Sequence, residues 1–278
     1  MRIGALIFLT DTTIGPAEMA VELEQRGFES LWVPEHTHIP TGRRTPYPAG
    51  GELPEEYRRT LDPVVALAAA AAATEHLRLG TGISLVAQHH PINLAKAVAS
   101  LDHVSGGRVL FGIGVGWNHD EMEDHGVDPA RRRDHAREHV LAMQQLWTAD
   151  EAAFDGEFVS FGPSWSWPKP RQRPYPPIIM GGAGGPVTFR HVVEYCDGWM
   201  PIHGRRNIMT KLPDLLSMAD DAGRARDSIE LGVFACPPDS GIVEQYAEAG
   251  FTRCVIGLPP AGADDVRRAL DAAAPALR

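Results

Sequence analysis

Short apolar runs alternate with helix-length amphipathic segments from one end of this chain to the other, and that rhythm constrains the fold more than any other feature. The strand-like runs are Ile3–Phe8, Ser30–Pro34, Leu77–Leu85, Val109–Gly114, Pro177–Met180, Gly198–Ile202, Glu230–Ala235 and Cys254–Leu258. Between them lie segments such as Ala17–Arg26, Pro63–Ala73, Ile92–Leu101, Ala136–Trp147, Val187–Tyr195, Met209–Ala222, Ile242–Ala249 and Asp264–Ala274. Strand-then-helix alternation predicts parallel strands with right-handed crossovers. About eight such units without a linker predict closure into a single α/β domain, a (β/α)8 TIM-like barrel over residues 1–278. The length of 278 residues sits near the roughly 250 typical of that architecture.

Local punctuation agrees. Asp62–Pro63 offers an N-cap acceptor before a proline at the first helical position. Gly27 and Gly250 read as left-handed glycines closing helices, and each is followed by phenylalanine. The stretches Glu24–Val33 and Ala247–Ile256 therefore share a helix–Gly–Phe–strand layout, as a repeated unit would. Two segments break the rhythm. Pro34 to Leu61, rich in proline and glycine, is expected to be a functional loop or lid. Residues 150–176, with Phe154–Phe161 as a hairpin, are expected to form an arm inserted before the fifth strand, with Trp165 and Trp167 packing it onto the barrel.

The formal net charge of -10 argues against a nucleic-acid partner and against an anionic membrane surface. The Ala-rich stretch Ala66–Ala73 is too short to span a bilayer. Three dispersed cysteines, Cys196, Cys236 and Cys254, form no CxxC pair and fit a reducing compartment. With no secretory-signal pattern at the start, the expected location is cytoplasmic.

In such a barrel the strand ends and the loops after them build the site. That rule selects Glu35, His36 and His38 after the second strand, and Gly80, Gly82, His89 and His90 on and after the third. It also selects Gly116, Trp117 and Asn118 after the fourth, Gly181–Pro186 after the fifth, and His203 after the sixth. Glycines two apart, Gly80 and Gly82 or Gly112, Gly114 and Gly116, share one face of a strand. They mark either a surface for a bulky planar ligand or relief of crowding inside the barrel. The run Gly181–Pro186, set between a strand and a helix, can aim backbone N–H groups at a phosphate. It is neither a GxGxxG fingerprint nor a P-loop. His36 can move a proton near neutral pH, with Glu35 beside it to tune it. A rival reading takes His36-Thr-His38 as an HxH metal pair with His203 as a further ligand, but the last strand ends Leu258-Pro-Pro without an aspartate to complete it.

These residues carry a resemblance. Gly27-Phe-Glu-Ser-Leu-Trp-Val-Pro-Glu-His36, Leu77-Arg-Leu-Gly-Thr-Gly-Ile83, Ser105-Gly-Gly-Arg-Val-Leu-Phe-Gly-Ile-Gly-Val-Gly-Trp-Asn118, Pro177-Ile-Ile-Met-Gly-Gly-Ala-Gly-Gly-Pro186 and Tyr195-Cys-Asp-Gly-Trp-Met-Pro201 together resemble the luciferase-like monooxygenase superfamily, in particular its F420-dependent oxidoreductases. The resemblance implies coenzyme F420, with FMN as the alternative, bound at the C-terminal ends of the strands, and a small-molecule substrate. It implies His36 beside the reactive ring, and a non-proline cis peptide at Gly82–Ile83 buttressing that ring. Gly116, Asn118 and Gly182, Ala183, Gly184 and Gly185 would hold the ribityl and phosphate portions. A homodimer is a further family expectation. One departure stands out: where the F420-dependent sugar-phosphate dehydrogenases place a catalytic glutamate, this chain has Trp117, which speaks against glucose 6-phosphate and for a more apolar pocket.

Overall fold

The computed structural model describes residues 1–205 and 208–274. Eight parallel strands close into a barrel: β1 (Arg2–Leu6), β2 (Ser30–Val33), β3 (Arg78–Thr81), β4 (Val109–Ile113), β7 (Ile178–Gly181), β8 (Gly198–Met200), β9 (Glu230–Cys236) and β10 (Arg253–Gly257). The first strand pairs with the last, Arg2 opposite Arg253 through Leu6 opposite Gly257, and this pairing shuts the sheet. The remaining two strands, β5 (Ala152–Asp155) and β6 (Ser160–Ser164), form a separate antiparallel hairpin in the expected arm. Each of the eight predicted strand runs thus meets a barrel strand.

The helices α1 (Pro16–Gln25), α2 (Pro63–Ala73), α3 (Pro91–Val104), α4 (His119–Asp124), α5 (Arg132–Thr148), α6 (Pro186–Tyr195), α7 (Ile208–Asp221), α8 (Ser240–Glu248) and α9 (Ala263–Ala273) lie between the strands. Their ends obey the local signals. Asp62 accepts from the Val65 N–H at 2.9 Å and caps α2, whose first residue is Pro63. After α1, Gly27 (φ 80°) donates to Glu24 and Phe28 to Leu23; after α8, Gly250 (φ 91°) donates to Ala247 and Phe251 to Tyr246. This is one Schellman closure used twice, and both phenylalanines are buried by it. The echo in sequence is an echo in structure.

The arm departs from expectation in one respect. Trp165 is 82% exposed and Trp167 56%, so neither packs it down. The hairpin is held by Glu138 of α5, whose carboxylate accepts from the backbone N–H groups of Glu157, Phe158 and Val159 at 2.9, 2.5 and 2.5 Å. Among the described residues, no helix is long and apolar enough to cross a membrane.

Inside the barrel, Trp32, Leu110, Ile179, Met200, Phe234 and Val255 form their own buried cluster, separate from the larger core between strands and helices. At its N-terminal end sits a charge: Arg253, with no side-chain exposure, pairs with Glu29 at 2.8 Å and with Glu230, and its guanidinium lies 5.7 Å from the Trp32 ring centre. Removing one member of a buried ion pair leaves the other charges desolvated and unpaired. Arg253→Ala should therefore lower unfolding free energy by about 3–5 kcal/mol in urea titrations. A loss below about 1 kcal/mol would mean that this end of the barrel is wetter and looser than it looks.

Candidate active site

Strand alternation decides what β2 delivers to the barrel mouth. Trp32 points into the barrel, so His36, four residues on, can return to the axis while Glu35 faces away. Glu35 is buried and accepts from the Ser84 hydroxyl (3.0 Å), the Leu85 N–H (2.6 Å) and His89 Nε2 (2.5 Å). It makes none of these contacts with His36. The expectation that Glu35 tunes His36 is thus corrected, because adjacent residues of an extended chain present opposite faces.

The residue that holds His36 comes from 85 positions away. His36 Nδ1 and Glu121 Oε2 are 2.8 Å apart, and the same carboxylate accepts from the Thr37 N–H at 3.2 Å and from Asn118 Nδ2 at 3.5 Å. Glu121 has no side-chain exposure and His36 only 6%. A carboxylate only accepts, so this contact places a proton on Nδ1 and leaves Nε2 as the basic nitrogen of the neutral ring. Glu121 sits on α4, a six-residue helix whose acidic side chains all face the loop after β2. Asp120 accepts from Arg44 (Nε, 2.9 Å) and from Thr45 (N–H 2.9 Å, hydroxyl 2.6 Å), and Asp124 meets His38 at 3.0 Å. Asp120 is held far below the ordinary carboxylate range, first by the Thr45 hydroxyl and then by Arg44.

The third strand ends in a Gly82–Ile83 peptide that is cis, as the resemblance implied. The Ile83 side chain lies over the bare α-carbons of two strands. A Cβ on Gly114 would meet it at 1.8 Å, and one on Gly181 at 2.7 Å. The other spaced glycines serve the protein's own interior. Gly80 makes room for the Trp32 ring and Gly82 for Phe234, while Gly112 clears the Thr81 carbonyl first and the Trp32 ring second. Of the two readings of those glycines, relief of crowding describes Gly80, Gly82 and Gly112, while Gly114 and Gly181 seat the Ile83 shelf.

Three features fit a phosphorylated, ring-bearing cofactor. Ile83 is a partly buried apolar shelf at the strand ends. Asn118 is buried, and its Oδ1 has no partner among the described residues. In the loop before α6, the N–H groups of Gly182, Ala183, Gly184 and Gly185 make no bond to a protein acceptor among the described residues, and no side chain caps the helix. Gly116, with φ 71°, turns the chain between Ile83's shelf and Asn118. Gln88, which the sequence gave no reason to choose, is a neighbour of Gly116: it too is buried with an unpartnered Oε1.

The metal reading is not supported by this geometry. The His38 ring is spent on Asp124 and the Thr37 hydroxyl, and His203 Nδ1 lies 3.0 Å from the Tyr246 hydroxyl. Among the described residues no three His, Cys, Asp or Glu side chains stand close enough to share an ion.

The profile of the family described as luciferase-like monooxygenase matches residues 16–270. The chain belongs to that family. A relative from Mycobacterium tuberculosis, of uncharacterized function, is 44% identical over 269 residues, 95% of this chain and 94% of its own. The F420-dependent glucose-6-phosphate dehydrogenase of Nakamurella multipartita is 28% identical over 77% of this chain and 60% of its own. The FMNH2-dependent dimethylsulfone monooxygenase of Pseudomonas putida is 30% identical over 59% and 45%. Among solved structures, an F420-dependent secondary alcohol dehydrogenase in complex with an F420-acetone adduct superposes with a TM-score of 0.77 at 20% identity, covering all of both chains. The luciferase-like barrel is therefore shared with relatives that differ in cofactor.

The Glu35–His89 pair gives the mouth of this luciferase-like barrel a pH signature. Burial opposes the charge on Glu35, but the hydrogen bond and charge of His89, with the Leu85 N–H and Ser84 hydroxyl, outweigh it and lower its pKa below 4.5. Burial likewise opposes the charge on His89, and Glu35 outweighs it and raises that pKa above 6.5. The Glu35 contribution to stability is present above pH 4.5 and is lost as pH falls through the depressed value. The His89 contribution is present below pH 6.5 and is lost as pH rises through the raised value. Thermal melts of the wild type and of a Glu35→Gln/His89→Gln double variant should differ most between pH 4.5 and 6.5 and converge on either side. A gap that stays flat from acid to alkaline pH would show the pair to be uncharged.

Proposed function

We propose that this chain is an F420-dependent oxidoreductase that acts on a small organic substrate such as an alcohol, a carbonyl compound or an activated alkene. When bound, the deazaflavin supplies two-electron hydride exchange. The observation that carries the reading is the His36–Glu121 pair, an imidazole fixed at Nδ1 with Nε2 open, on the same strand-end face as Ile83 and the glycine loop.

The protein's own groups then divide the work. His36 Nε2 takes or returns the substrate proton, and Glu121 sets the tautomer and stabilises the imidazolium while it exists. Ile83 offers the ring an apolar seat. Asn118 and the Gly182–Gly185 N–H groups, at the positive end of α6, hold the polar tail and its phosphate. The F420 assignment over FMN is favoured by the relatives, since the F420-dependent one aligns with 77% of this chain and the FMNH2-dependent one with 59%. Trp117 in place of a carboxylate favours a substrate other than a sugar phosphate.

Parallel titrations with F420 and FMN, followed by tryptophan fluorescence, should show F420 binding at least about tenfold tighter, a difference of about 1.4 kcal/mol. The reverse order would move the assignment to a flavin monooxygenase. With an alcohol turned over in an F420-absorbance screen, His36→Ala should lower kcat by roughly 10²–10⁴-fold while F420 affinity stays nearly constant. Glu121→Gln should lower kcat and shift its pH profile. Unchanged turnover in the His36 variant would sink that role.

A further inference from the structure

Around His36 the loop after β2 gathers more aromatic surface than holding a loop requires. The Tyr57 ring is 5.2 Å from the His36 ring, Trp117 is 5.8 Å from it, and Tyr47 is 5.3 Å from Tyr57 and 5.9 Å from Trp117. Most of these pairs are edge-to-face, and Phe8 backs Tyr57 at 4.7 Å. Unlike Trp32, Trp147 and Trp199, which are fully buried in the core, Tyr47, Tyr57 and Trp117 are each only partly buried.

The wall is held from outside itself. Asp120 pins Arg44 and Thr45 on one side of Tyr47, and the Arg59 guanidinium is bidentate to Asp11 (2.7 and 2.6 Å) just after Tyr57. The cations Arg43 and Arg205 lie near the wall, the second close enough for its charge to act on Tyr57. Arg43 lies over the Trp117 ring at 5.3 Å and donates to the Thr45 carbonyl, and Glu121 is spent on His36.

One polar capacity is left over. The Tyr47 and Tyr57 hydroxyls are 3.3 Å apart, and neither has another hydrogen bond among the described residues. Two hydroxyls carry two protons, and the mutual bond uses one. The other is free to donate, from a pair whose Tyr57 ring lies 5.2 Å from the His36 ring. Burial, and then the bond to Tyr47, raise the Tyr57 pKa, so that hydroxyl keeps its proton.

We propose that Tyr47, Tyr57 and Trp117 form the substrate-specificity wall of this site, and that the substrate class is an apolar, ring-bearing ketone or alcohol whose oxygen accepts from the Tyr47–Tyr57 hydroxyl pair. This rests on the oxidoreductase reading for why such a molecule is bound, but the wall can be tested by binding alone. The substrate oxygen would accept a hydrogen bond from a tyrosine hydroxyl, and in an alcohol the O–H would donate in turn to His36 Nε2. The ring of the substrate would stack on Trp117.

Titration calorimetry with acetophenone, ethylbenzene and glucose 6-phosphate, each with and without F420, separates the two ideas. The wild type should bind acetophenone at least roughly tenfold tighter than glucose 6-phosphate. Tyr57→Phe, which deletes one oxygen and keeps the ring, should weaken acetophenone by roughly 3–10-fold and leave ethylbenzene within about twofold. Trp117→Ala should weaken both aromatic ligands by roughly 3–10-fold. Equal effects of Tyr57→Phe on both ligands, or glucose 6-phosphate binding as tightly as acetophenone, would overturn the proposal. Failure of F420 to bind would sink the cofactor assignment while the ketone–hydrocarbon comparison still judged the wall.

Discussion

The interior of a closed parallel barrel has to be filled, and here one indole sets the terms. Trp32 lies wholly inside, its Nε1 donating to Ser30 Oγ at 2.8 Å. A Cβ on Gly80 would stand 2.4 Å from its ring, one on Gly112 3.0 Å, and one on Gly4 3.1 Å. Gly80 on β3 thus gives up a side chain so that β2 can carry a large one inward, while Gly112 and Gly4 stand nearer to the Thr81 carbonyl and the Ser30 hydroxyl than to the indole. Because Trp32 is fixed inward, the phase of the chain leaving β2 is fixed too. His36 goes to the axis and Glu35 to the neighbouring β3 segment, where Ser84, Leu85 and His89 receive it. The placement of the imidazole at the mouth is a consequence of how the floor below it is packed.

A chain of net charge -10 might be expected to present an anionic mouth, which would repel a phosphorylated ligand. The structure avoids this by spending its carboxylates locally. On α4, Glu121 is engaged by His36 and Thr37, Asp120 by Arg44 and Thr45, Asp124 by His38, and Glu123 by Arg44. These contacts also fasten a long loop, rich in proline and glycine, to a helix that otherwise has little of its own to bury. The same charges that would disfavour an anion instead hold the aromatic wall. The backbone N–H groups of Gly182–Gly185 then meet no carboxylate acceptor among the described residues.

Much of this was legible in the sequence, and the reason is locality. The barrel strands, the hairpin, the α2 cap and the paired Gly-Phe closures each depend on a handful of consecutive residues. His36 and Asn118 could be placed at strand ends because strand ends follow from the alternation itself, whereas Ile83 came from the family resemblance alone. What could not be read is what the closed barrel brings together. Glu121 lies 85 positions from His36, and its motif, an acidic run after Asn118, looks like any solvated helix. Arg253 stands at the edge of a strand run as an ordinary surface cation, and only closure between β1 and β10 buries it against Glu29 and Glu230. The spaced glycines were ambiguous because a strand cannot announce whether the bulky group above it is a ligand or the chain's own tryptophan.

The exchange of Glu35 for Glu121 as the partner of His36 changes the chemistry. A carboxylate adjacent in sequence could reach the ring only at the expense of its own burial. One from a facing helix can be desolvated and still satisfied, by Thr37 and Asn118, at no exposure to water. A desolvated, fully occupied carboxylate holds Nδ1–H firmly, so the ring has one orientation and one basic nitrogen. That arrangement also leaves the HxH metal alternative unassembled among the described residues. A metal ligand at Nε2 would need His38 turned to the same side, and His38 is held outward by Asp124 on the very helix that supplies Glu121. The short acidic helix therefore fixes the His36 ring at Nδ1 and turns His38 away from it.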